Sequence, residues 1–169
     1  MTLVLGGAGS GKSAFAEGLI PRTGATPVYI ATAQAFDDEM RRKISDHQDQ
    51  RGAGWITVEE PVDVASALAQ VKAGQPTLID CATMWLTNVI LGEHDLGQQS
   101  GALLQALTNV PGPVVIVSNE VGQGIVPDNA LSRRFRNAQG QLNQQIAQRA
   151  DLVVAVMAGL PLTLKGTLP

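Results

Sequence analysis

The segment GGAGSGKS, residues 6–13, satisfies the pattern G-x-x-x-x-G-K-[ST] with Gly6, Gly11, Lys12 and Ser13. Small residues at Gly6, Gly7, Ala8, Gly9, Ser10 and Gly11 let successive backbone N–H groups converge on phosphate oxygens. A helix starting at the lysine adds its positive N-terminal end. In that arrangement Lys12 reaches the β- and γ-phosphates of a nucleoside triphosphate and Ser13 ligates Mg²⁺. The dinucleotide fingerprint G-x-G-x-x-G fails, because its last glycine falls on Lys12 or Ala14 in either register.

A phosphate loop of this kind needs an acidic strand end to hold the magnesium shell, and the run TLID offers Asp80. An aspartate there equally caps the following helix. Glu120, after the run VVIVSN, is a second acidic strand end and competes for the same role or faces a second substrate.

In DDEMRRKISDHQDQR, Met40, Ile44, His47 and Arg51 fall at helical spacing and place His47 on the apolar face. A lone histidine there is either a hydrogen-bonded packing residue or, beside a phosphate loop, a nucleophile whose neutral imidazole attacks activated phosphorus. Asp46 immediately precedes it, and a carboxylate against the ring would favour the imidazolium, which cannot attack. No histidine or cysteine partner stands at metal-ligand spacing, and His94 sits in a polar connection, so the pattern does not support a zinc site.

These groups have to be carried on elements. Apolar runs predict strands over 3–5, 28–31, 56–58, 77–81, 114–118 and 152–156, with helices between them over 12–20, 38–51, 62–72, 83–91, 101–108 and 130–149. Alternation of this kind predicts an α/β fold of the P-loop NTPase, RecA-like type, with a mainly parallel sheet flanked by helices. The length of 169 residues suits a single nucleotide-binding domain over 1–169. Within it, residues 92–100 read as a mobile connection and residues 159–169 as a loosely held tail.

With 44% hydrophobic and 16% charged residues the chain can bury a core and does not resemble a disordered one. A net charge of -3 argues against nucleic acid as a partner, so a phosphate-bearing ligand must be held by local groups. One cysteine, Cys81, cannot form an internal disulfide. No long apolar stretch suggests a transmembrane segment or a leader, and the expected location is cytoplasmic.

Several of these segments together resemble one family. GGAGSGKS, YIATAQAFDDEM, HQDQR, WITVEEP, LIDCATMWLTN and VSNEVGQGIVPDNALSRRFRNAQGQLNQQIA, in this order, are similar to the bifunctional adenosylcobinamide kinase/adenosylcobinamide-phosphate guanylyltransferases of cobalamin biosynthesis. The resemblance runs from Leu3 to about Lys165. It implies phosphorylation of adenosylcobinamide by ATP or GTP, then transfer of GMP from GTP to the resulting phosphate. The products are adenosylcobinamide-GDP and pyrophosphate.

The resemblance also implies that His47 carries GMP covalently. The implied nucleotide contacts are residues 6–13, Ala31, Thr32, Ala33, Gln48, Asp49, Gln50, Arg51, Glu59 and Asp80, with Ser13 and Asp80 at Mg²⁺ and Glu59 suited to the donor edge of guanine. A homotrimer is implied as well. Trp85 and the loop from Asn119 to Asn129 are candidates for shaping the corrinoid pocket, and Arg133, Arg134 and Arg136 for meeting phosphate. The chain departs from the family where Gly9 replaces a common loop arginine, which removes one positive contact to the triphosphate. Two other functions stay open on the residues alone: a P-loop small-molecule kinase in which His47 only packs, and a GTP-binding regulatory module without turnover.

Overall fold

The computed structural model of the chain describes residues 1–21, 24–35, 42 and 54–169. Seven strands, β1 (Thr2–Gly6), β2 (Val28–Ala31), β3 (Ile56–Glu59), β4 (Thr77–Asp80), β5 (Val114–Asn119), β6 (Leu152–Met157) and β7 (Leu160–Lys165), form one sheet in the order β3-β2-β4-β5-β1-β6-β7. Every neighbouring pair is parallel except β6 and β7. The described helices are α1 (Lys12–Gly18), α2 (Val64–Ala69), α3 (Ala82–Leu91), α4 (Leu96–Asn109) and α5 (Ala130–Arg149). The expected mainly parallel α/β sheet is thus present, while the predicted helix over 38–51 lies largely outside the described residues.

The central strands are short apolar runs because both faces of the sheet are covered. Alternate side chains divide between two cores. Leu3, Ile30, Ile79, Val114 and Ile116 meet Leu68 of α2, Trp85 of α3, Leu103 of α4 and Leu142 of α5. Val4, Tyr29, Leu78, Val115 and Val117 meet Ala16 of α1 and Ile20. The helix that follows the phosphate loop therefore lies on one face and the other four described helices on the opposite face. Strand ends of odd and even parity are committed to one side or the other by this packing.

Two expectations about connections change. Residues 92–100 are not one mobile connection: Asp95 accepts a hydrogen bond from the Gln98 amide at 2.8 Å and caps α4, which begins at Leu96. The segment read as a loose tail contains β7, whose antiparallel pairing with β6 runs through a turn in which Ala158 and Gly159 both have positive φ, 51° and 76°. Such a two-residue turn matches the twist of a hairpin, and glycine adopts its second position at no steric cost. Trp85, a candidate for the corrinoid pocket, is 1% exposed and donates its indole N–H to the Val62 carbonyl at 2.8 Å. It belongs to the core beneath the site.

Candidate active site

β1 ends at Gly6, which must be glycine because an added Cβ would lie 2.7 Å from the Val156 carbonyl oxygen and against the Ser10 hydroxyl. Gly9 and Gly11 have φ of 69° and 88°, so the loop turns twice through left-handed backbone before α1 starts. Gly11 sits at the N-cap with no side chain capping the first turn, whereas Asp63, Cys81, Asp95 and Asn129 cap the other described helices. The first amides of α1 are thereby left to an anion, and successive N–H groups in left- and right-handed backbone form a concave anion cradle. Lys12 Nζ donates to the Gly7 carbonyl at 3.0 Å, folding the ammonium over that cradle. Ser13 stands in the first turn beside it.

The loop is braced from behind by the hairpin turn. The Gly159 amide donates to the Ser10 carbonyl at 2.9 Å, and an added Cβ on Gly11 would lie 3.2 Å from the Gly159 Cα.

Parity brings the acidic candidate to the same face. Asp80 shares the side of Leu78 and Tyr29, which pack with α1, and its Oδ2 accepts from the Tyr29 hydroxyl at 3.2 Å. Its Oδ1 has no hydrogen bond among the described residues. β5 lies between β4 and β1, so Asp80 stands two strands, about 10 Å, from the strand that carries the loop. No group of three or more His, Cys, Asp or Glu side chains suited to a metal occurs among the described residues. A hard cation here has to be completed by substrate phosphate and water, the manner in which Mg²⁺ is usually bound. The hydroxyl of Ser13 and the carboxylate of Asp80 are oxygen donors of the right kind.

The remaining candidates divide. Ala31 is in register with Asp80 on one side and Glu59 on the other, at the same strand ends. Glu59 is exposed on β3, four strands or roughly 19 Å from β1, beyond the reach of a phosphate held in the loop. Thr32 is fully buried; its hydroxyl donates to the Cys81 carbonyl at 2.7 Å and accepts from the Cys81 amide at 2.8 Å. That side chain supports the turn after Asp80 and does not face the cradle, while Ala33 follows it toward the surface. Glu120 donates its amide to the Gly6 carbonyl at 3.2 Å, and its carboxylate accepts from the Gly122 amide at 2.6 Å. Arg133 is committed to the Pro127 and Asp128 carbonyls at 2.9 and 2.8 Å. His47, Gln48, Asp49, Gln50 and Arg51 lie outside the described residues.

Cys81 adjoins the site but is not equipped as a nucleophile. Burial, with the Asp80 charge second, pushes its thiol up to about 11, and its sulfur accepts the Met84 amide at 3.5 Å as a helix cap. A disulfide-exchange reagent at pH 8 is expected to find no thiol in the folded protein and one equivalent after denaturation. Rapid labelling of the native chain would contradict the packing described.

The family model described as "Cobinamide kinase / cobinamide phosphate guanyltransferase" matches residues 2–164. The "Bifunctional adenosylcobalamin biosynthesis protein CobP" of Pseudomonas aeruginosa is 47% identical over 167 residues, covering 97% of this chain and 96% of that protein. The "Bifunctional adenosylcobalamin biosynthesis protein CobU" of Salmonella typhimurium is 40% identical over 98% of this chain and 99% of its own length. A solved structure from Pyrococcus horikoshii OT3 shares the fold at 9% identity, with a TM-score of 0.54 over 99% of this chain and 87% of that one. The chain belongs to the cobinamide kinase / cobinamide phosphate guanyltransferase family and has the kinase and guanylyltransferase function in cobalamin synthesis that this membership carries.

Proposed function

We propose that the chain phosphorylates adenosylcobinamide with ATP or GTP and then joins GMP from GTP to that phosphate through a guanylyl-His47 intermediate. The observation that carries the nucleotide chemistry is the uncapped first turn of α1 behind the left-handed glycines, with Lys12 folded over it. In the first reaction the acceptor oxygen forms a bond to the γ-phosphorus as the bond to the leaving diphosphate breaks, and the hydroxyl proton passes to solvent. Residues 6–13 hold the phosphates and Lys12 neutralises charge as the transfer proceeds. Ser13 and Asp80 would hold Mg²⁺, which supplies charge neutralisation at the phosphate oxygens.

In the second reaction His47 displaces pyrophosphate from the α-phosphorus of GTP, and the substrate phosphate then displaces the imidazole. Ala31, Thr32, Ala33, Gln48, Asp49, Gln50, Arg51 and Glu59 complete the nucleotide site in this reading. Thr32 acts there through the Cys81 turn, and Glu59 serves the guanine end. Two in-line displacements give net retention at phosphorus.

A homotrimer belongs to the same reading; Leu160, Leu162 and Leu164, each more than half exposed on β7, provide apolar surface for self-association. A cytoplasmic location also belongs to it. No helix among the described residues is long and apolar enough to cross a membrane.

The test is to incubate the protein with Mg²⁺ and GTP labelled at either the α or the γ phosphate. Acid-labile, base-stable label on the protein from the α position only is expected. Label from neither position, with GTP binding intact, would leave a kinase alone and remove the covalent step.

A further inference from the structure

β5 is the strand between the phosphate-loop strand and the Asp80 strand, and its last residue, Asn119, is in register with Gly6. The parity that turns Val115 and Val117 toward α1 turns the Asn119 side chain to that face as well. Ser118, of the opposite parity, is buried on the other face, where its hydroxyl donates to Asn143 Oδ1 at 2.6 Å. Asn119 is half-buried, and its carboxamide makes no hydrogen bond among the described residues.

The Asn119 backbone, by contrast, is held on both sides. Its N–H donates to the Thr83 hydroxyl of α3 at 2.8 Å, and its carbonyl accepts from Asn143 Nδ2 of α5 at 3.1 Å. Asn143 is oriented in turn by Gln139, whose Nε2 donates to Asn143 Oδ1 at 3.0 Å and to the Ser118 hydroxyl at 2.9 Å. Thr83, Ser118, Gln139 and Asn143 are all buried. Satisfying the N–H and the C=O of one strand-end residue with two buried side chains from two helices fixes its backbone more tightly than strand pairing alone, since β4 pairs with β5 only as far as Val117.

We infer that Thr83 and Asn143 are positioning residues, clamping the backbone of Asn119 so that its carboxamide donates a hydrogen bond to the phosphoryl group being transferred. The inference rests on the kinase reading above. The carboxamide is chemically unchanged by the step; its Nδ2 donor meets charge that develops on a phosphoryl oxygen. A donor held in advance at that point raises kcat without tightening nucleotide binding, which the loop itself supplies.

The experiment is a double-mutant cycle on cobinamide phosphorylation, with a fluorescent nucleotide for binding and thermal unfolding for integrity. Asn119→Ala is expected to lower kcat roughly 10²-fold, with nucleotide affinity held within about threefold. Thr83→Val, which keeps shape and deletes the acceptor, is expected to lower kcat at least about tenfold. Thr83→Ser, which restores the hydroxyl, should bring it back. The pair Asn119→Ala/Thr83→Val should fall no further than Asn119→Ala alone, because the clamp acts only through that side chain.

Full kcat in Asn119→Ala overturns the inference, as does a Thr83→Val protein that melts earlier but turns over normally. Losses that multiply in the double variant overturn it too. Should Thr83→Val fail to fold, Asn143→Ala takes its place in the same cycle. A wild-type protein that binds nucleotide but forms no phosphorylated product overturns the kinase reading, and this inference with it.

Discussion

Lys12→Met is expected to retain the fold and to lose roughly 10²–10³-fold in the rate of cobinamide phosphorylation. The side chain sits at the start of α1, and its one hydrogen bond in the described structure goes to the Gly7 carbonyl of its own loop, so its removal opens no cavity in either core. On the proposed reading the ammonium exchanges that carbonyl for phosphate oxygens in the triphosphate complex, and their negative charge shifts as the γ-phosphorus is transferred. Methionine fills the same volume with no charge, so binding weakens and the rate falls further than binding does. Steady-state kinetics with separate nucleotide titrations would distinguish the two losses. A variant with raised KM and normal kcat would mean that Lys12 only anchors the ground state.

The second large effect is expected at His47. With His47→Ala, label from α-labelled GTP should disappear from the protein and GMP transfer should stop, while transfer of the γ-phosphoryl group persists. An alanine cannot form the phosphoramidate through which the proposed second reaction runs, whereas γ-transfer needs only positioning and charge. The labelling rate of the wild-type chain should rise with pH as imidazolium gives up the proton that blocks its lone pair. An Asp46 carboxylate against the ring would move that rise upward. Continued labelling of His47→Ala from the α position would assign the covalent step to another residue.

The phosphate loop was readable because its chemistry is local: six small residues, a lysine and a serine in one uninterrupted segment. Strands of the parallel core were readable for a related reason, since burial on both faces leaves runs such as VVIVS almost free of polar residues. α5 was legible from 130 to 149, and the Asn129 cap, which accepts the Ser132 amide at 2.8 Å, agrees with that start. β7 was not legible. As an exposed edge strand, LPLTLK gains its order from pairing with β6, and a proline in an alternating segment after glycine resembles a tail as much as a strand. The start of α4 was obscured by the polar sequence GQQSG, although Asp95 directly before Leu96 was the signal that could have shown it.

The site was legible in its parts and less so in its assembly. Asp80 and Glu120 were equivalent as acidic strand ends; strand order and parity separate them, with Glu120 beside Gly6 and Asp80 across β5 on the α1 face. Thr32 matched a nucleotide-contact segment, but the hydrogen bonds that engage its hydroxyl come from Cys81, 49 residues away. The Thr83, Asn119 and Asn143 arrangement spans three elements and carried no local signature. Only the folded chain brings a threonine on α3 and an asparagine on α5 to the backbone of the same residue.

The hairpin turn at Gly159 gives the end of the chain an unexpected weight. Because its amide braces the Ser10 carbonyl and its Cα leaves no room for a side chain on Gly11, changes near position 160 are expected to reach the loop near position 10. Insertions that lengthen the turn, or a side chain that displaces it, would be felt as looseness in the phosphate cradle although no nucleotide atom is near them in sequence. For anyone adding an affinity tag or fusion partner, the carboxyl-terminal hairpin is therefore working structure.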